Sequence, residues 1–113
     1  MTKVMISDKQ LMSAIDFDGR SAAELRLCIE RALAAEGNVK HVKAIEMKKV
    51  STLPIAAQER EAFASDAYVA AMVEEAKASA ALEELKAARS HARLTIDIWR
   101  SLEASHRVIS QYP

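Results

Sequence analysis

DAYVAAMVEEAKASAALEELKAARSHARLTIDIWRSLEASHRVIS, from Asp66 to Ser110, decides the fold. Its 45 consecutive residues include no glycine or proline and are rich in Ala, Leu, Glu, Lys and Arg, all strong helix formers. A stripe begins at Tyr68, Val69, Met72, Val73 and Ala76 and continues through Leu82, Leu85, Ala88, Ala92, Ile96, Trp99, Leu102 and Ile109. Its mean step lies between three and four residues, the period of one helix face. The stretch predicts one long helix over 66–110, roughly 65 Å at 1.5 Å per residue. A compact domain of about 100 residues spans only about 35 to 40 Å, so part of this helix must protrude or pack on another chain. The other possibility, a helix that folds back, has no glycine or proline to mark its bend. The expected fold is all-α: a helical hairpin with a long C-terminal helix, oligomerising into a bundle. Leu82, Leu85, Ala92, Ile96, Trp99 and Leu102 are its expected interface.

Upstream, Leu53 precedes Pro54, and the residue before proline is pushed out of the helical region, so the chain should turn near Ser51 to Leu53. Pro54 suits a helix start, predicting a short helix from Ile55 to Ala64 within a connector over 51–65. Ser65 and Asp66 then cap the long helix. In the first half, over 21–50, Leu25, Cys28, Ile29, Ala32 and Leu33 recur on one stripe, which should be buried. Gly37 and Asn38 suit a left-handed cap, and Val39, Val42, Ile45 and Val50 resume the pattern at once. A kinked or interrupted pair is expected, with a continuous helix as the alternative because an internal glycine costs only about 1 kcal/mol. Ser7 with Gln10, and Ser21 with Glu24, each fit a capping box. Asp16, Phe17, Asp18 and Gly19 read as a break between them, leaving 1–20 as a short, loosely docked segment of the single domain 1–113.

Composition limits the chemistry. The 113 residues contain 16 basic and 16 acidic side chains, two Gly, two Pro and one Cys. No apolar run approaches the roughly 18 residues of a membrane span. Lys3 is followed by Ser7, Asp8, Lys9 and Gln10 where a signal peptide would be apolar, so a cytoplasmic protein is expected. Gly19 and Gly37 stand too far apart for a phosphate-cradling loop or dinucleotide fingerprint. His41, His91 and His106 have no ligand spacing, so no metal is expected. Cys28, on the apolar stripe, reads as a small hydrophobe. Glu74/Glu75 and Glu83/Glu84 are sequence neighbours that diverge on a helix and do not converge on a substrate atom. The expectation is a protein without enzymatic activity, cofactor or small-molecule substrate.

Charge is distributed unevenly. Lys40, Lys43, Lys48 and Lys49 surround Glu46, giving a net +3 within ten residues beside His41. Lys86, Arg89, Arg93, Arg100 and Arg107 face Asp97 and Glu103, again net +3, although Arg93 with Asp97 and Glu103 with Arg107 are spaced to pair. The bland reading is a solvated helix face. The sharper one is that an oligomer repeats the Lys40 to Lys49 patch into an anion-binding track. Trp99, Tyr68 and Phe63 read as packing residues rather than base-stacking ones.

The order of elements resembles the UvsY-like recombination mediators of bacteriophages. The resemblance lies in VKHVKAIEMKKV, Val39 to Val50, followed by a loop and then by SDAYVAAMVEEAKASAALEELKAARSHARLTIDIWRSLEAS, Ser65 to Ser105, and covers roughly residues 21–107. It implies a homo-oligomer that binds single-stranded DNA and helps load a recombinase. Carried over by position, Lys40, Lys43, Lys48 and Lys49 would contact phosphates. Arg89 and Arg93 are further nucleic-acid candidates from the charge pattern. The competing expectation is a helical adaptor or inhibitor that acts on another protein without nucleic acid.

Overall fold

A computed structural model describes residues 5–111; Lys3 and the rest of 1–4, with 112–113, lie outside the described residues. The chain is all-α, a helical hairpin of α1 (Asp8–Lys49, 42 residues), α2 (Ile55–Ala64, 10 residues) and the long C-terminal α3 (Asp66–Gln111, 46 residues). No strand occurs among the described residues.

The boundaries follow local chemistry. At the start of α1 the Ser7 amide donates to Gln10 Oε1 at 2.9 Å and the Gln10 amide donates to Ser7 Oγ at 3.1 Å, the reciprocal capping box expected from sequence. After Lys49, Leu53 N–H donates to the Val50 carbonyl at 3.0 Å, and Pro54 (φ −57°, ψ 152°) caps α2. Gln58 Nε2 ties the turn by donating to the Leu53 carbonyl at 2.7 Å. Ser65 Oγ donates to the Ala62 carbonyl at 2.7 Å and accepts the Tyr68 amide at 3.2 Å, so one hydroxyl closes α2 and opens α3.

The expectations for α1 are corrected. The break at Asp16 to Gly19 does not exist, and neither does the interruption at Gly37 and Asn38: α1 runs through both. Neither glycine has positive φ, and a Cβ at either position would meet nothing within 4 Å. Each is therefore an ordinary helical residue whose propensity cost of about 1 kcal/mol is absorbed by a long, packed helix. Ser21 is likewise no cap; it lies inside α1, fully buried. Residues 8–20 belong to α1, with Leu11 and Ala14 buried, rather than forming a short separate segment.

The chain divides into two compact units, Met1–Leu25 with Leu85–Pro113, and Arg26–Glu84. In the first, positions 11, 14, 18, 21 and 25 of α1 and 85, 89, 92, 96 and 99 of α3 are among those buried or partly buried. They alternate steps of three and four, the coiled-coil period. Its helices are antiparallel, because Ser21 meets Arg89 while the earlier Asp18 meets the later Arg93. In the second unit the same spacing holds at 28, 32, 35, 39, 42 and 46, and at 68, 71, 75, 78 and 82. The buried apolar residues are mostly small-sided: Leu11, Ala14 and Ala92 in the first unit, and Cys28, Ala62 and Ala71 in the second. Small residues let helices approach closely, but each removes little apolar surface from water.

Candidate functional site

The lysine cluster lies on the last turns of α1, in the Arg26–Glu84 unit. Lys40 and Lys48 are exposed. Lys43 is partly buried because α2 brings an aromatic ring to it: Lys43 Nζ sits 4.8 Å from the Phe63 centroid. Phe63 in turn meets Tyr68 edge-on, with centroids 5.2 Å apart and planes at 68°. Ser65 lies between them, its hydroxyl donating to the Ala62 carbonyl and accepting the Tyr68 amide. Phe63 thus packs, as its sequence context predicts, while remaining 46% exposed. Lys49 is exposed but donates to Glu46 Oε1 at 2.8 Å, so part of its charge is neutralised locally.

In the second basic region Lys86, Arg93, Arg100 and Arg107 are exposed and Arg89 is turned inward. Arg89, expected to face phosphates, is buried at 8% exposure. Its Nη1 donates to Ser21 Oγ at 2.6 Å and to the Asp18 carbonyl at 3.1 Å, and its Nη2 lies 3.8 Å from Asp18 Oδ1. A guanidinium committed this way within the protein is unavailable to a nucleic acid. Arg93 is exposed, but its Nε donates to Asp18 Oδ1 at 3.2 Å rather than to the Asp97 expected from spacing. Asp18 thus receives both arginines.

The residues expected at an oligomer interface lie along the hairpin's own seam. Ala92 is buried, and Leu85, Ile96, Trp99 and Leu102 are partly buried in the first unit, as is Leu82 in the second. Large apolar side chains left exposed lie elsewhere: Met12 (64%) and Leu94 (56%) in the first unit, Leu33 (63%) and Val69 (52%) in the second. Cys28 is buried and free, as its stripe predicts.

Among the described residues no helix is long and apolar enough to cross a membrane, and no group of three or more His, Cys, Asp or Glu could hold a metal ion. Comparison with protein-family models, curated proteins and solved structures returns no match. The Lys40, Lys43, Lys48 and Phe63 group is therefore read on its own chemistry: cations that suit phosphate oxygens, one of which, Lys43, already sits over the half-exposed Phe63 ring.

Proposed function

We propose that the protein is a non-catalytic, phage-type accessory protein of the cytoplasm that binds single-stranded DNA and assists recombinase loading. The observation that carries this reading is the juxtaposition of exposed Lys40 and Lys48 with Lys43 held over the half-exposed Phe63 ring. Cations alone fit any polyanion, whereas a half-exposed aromatic ring beside them suits unpaired bases. Lys49 is a weaker contact because of Glu46, Arg93 weaker because of Asp18, and Arg89 drops out.

Self-association belongs to the same reading. It is supported by exposed Met12, Leu33, Val69 and Leu94, whose transfer out of water contributes roughly 25 cal/mol per Å². The second reading, an adaptor acting on another protein, is favoured by those same side chains.

Titration of fluorescent oligo(dT) at about 50 and 200 mM salt tests the proposal. Each phosphate neutralised adds roughly 0.7 to the logarithmic salt slope on a single strand. Lys40→Ala/Lys48→Ala should flatten the slope by about 1.4 on that basis while leaving helicity unchanged. If the parent protein fails to bind at about 50 mM salt, where the electrostatic contribution is strong, the DNA reading falls and the adaptor reading replaces it.

A further inference from the structure

One face of the Met1–Leu25 and Leu85–Pro113 unit holds an open groove of about 780 Å³, bounded by α1 from Lys9 to Arg20 and by α3 from Ala88 to Ile98. Its floor is apolar, with Ala14, Phe17, Ala92 and Ile98 among its residues. Every lining residue that can carry charge is basic: Lys9, Arg20 and His91. Arg20 shares its charge with Asp16, at 3.0 Å, and lies 5.2 Å from the Phe17 ring centroid, which sets a cation beside the apolar floor. Lys9 and His91 are exposed on the two opposite banks.

Two antiparallel helices with an apolar groove along one face present the docking surface that a third helix completes, by ridges-into-grooves packing. The eleven steps from Lys9 to Arg20 give about 16 Å of groove, or three helical turns. Side chains at i, i+3 or i+4, and i+7 of a guest helix would reach the floor, leaving its flanks against Lys9, Arg20 and His91. We propose that this groove receives an amphipathic helix from another protein, with Asp or Glu flanking its apolar stripe. The charge of the α1 bank selects that occupant: an acidic flank is attracted by Lys9 and Arg20, and a basic flank is repelled. The inference is independent of the DNA reading, whose lysines lie in the other unit.

The test uses the full chain and a fluorescein-labelled 16-residue helical peptide with Leu at the apolar positions and Glu on both flanks. Its twin carries Lys in place of Glu. An exposed charge pair contributes a factor of a few, so Lys9 and Arg20 should make the acidic peptide bind roughly fivefold tighter at about 50 mM salt. The margin should shrink as salt rises. Lys9→Glu/Arg20→Glu, with both sites exposed and helicity checked by circular dichroism, should reverse the preference. Equal binding of the twins, binding of neither, or an unchanged preference in the double variant overturns the proposal. So does displacement of the peptide by oligo(dT), which would assign the groove to nucleic acid. Sedimentation in which Lys9→Glu/Arg20→Glu abolishes self-association while the peptide fails to bind would assign it to a second copy, and overturns the proposal equally.

Discussion

Arg89→Met isolates the polar contact inside the first unit, because methionine keeps most of the aliphatic stem while removing every donor. Arg89 donates to Ser21 Oγ at 2.6 Å and to the Asp18 carbonyl at 3.1 Å, and Ser21 is fully buried. Loss of the guanidinium leaves that hydroxyl without the cation, and an unsatisfied buried polar group costs about 1 to 3 kcal/mol. The ion pair adds little, since Arg89 Nη2 is 3.8 Å from an Asp18 carboxylate whose side chain is 34% exposed. Removing the desolvated charge offsets part of the loss. The net expectation is about 2 kcal/mol, a fall in Tm of roughly 10 °C for a chain near 100 residues. Ser21→Ala/Arg89→Met should recover at least about 1 kcal/mol relative to the sum of the single variants, because deleting both partners leaves no orphan. Urea and thermal melts followed at 222 nm, at one fixed protein concentration because association shifts apparent stability, measure both quantities. If Arg89→Met melts within about 1 °C of the parent, or the double variant is simply additive, Arg89 does not hold the seam in this way.

Gly19→Ala and Gly37→Ala should each stabilise by about 1 kcal/mol, seen as a higher Tm, because both sites are helical and open to a Cβ. Ser7→Ala should cost about 1 kcal/mol through loss of the reciprocal cap, with faster hydrogen exchange confined to the first turns of α1. Phe63→Ala should weaken oligo(dT) binding by the same factor at low and high salt, roughly tenfold from loss of one stacked base. A change in salt slope instead would mean that Phe63 acts by placing Lys43.

The elements that sequence reads well are those set by near neighbours. Ser7 with Gln10, Pro54, and Ser65 before Asp66 act within four residues, and α2 and α3 begin where these residues place them. Gly19 and Ser21 mislead for the opposite reason. The hydroxyl that locally resembles a cap bonds to a guanidinium 68 residues away, and an internal glycine costs less than the packing that surrounds it. The candidate site divides along the same line. Lys40 and Lys48 are exposed on the helix that their pattern predicts. The burial of Arg89 and the diversion of Arg93 from Asp97 depend on Asp18, 71 and 75 residues distant, which no local spacing encodes. Phe63 was hidden because its place beside Lys43 is set by the turn before α2.

The distances along the chain also give the hairpin an order of assembly. The Arg26–Glu84 unit is contiguous, so all of it is present before Leu85 is synthesised. The other unit is built from two ends of the chain, and its Ser21 to Arg89 and Asp18 to Arg93 contacts span 68 and 75 positions. Closing it directly from an unfolded chain encloses a loop of about 60 residues, an entropic cost near 3.6 kcal/mol from the logarithmic length term alone. Local contacts form without that cost and therefore sooner. The lysine-bearing unit is therefore set by nearer contacts, and the arginines close a seam across some of the longest separations in the fold.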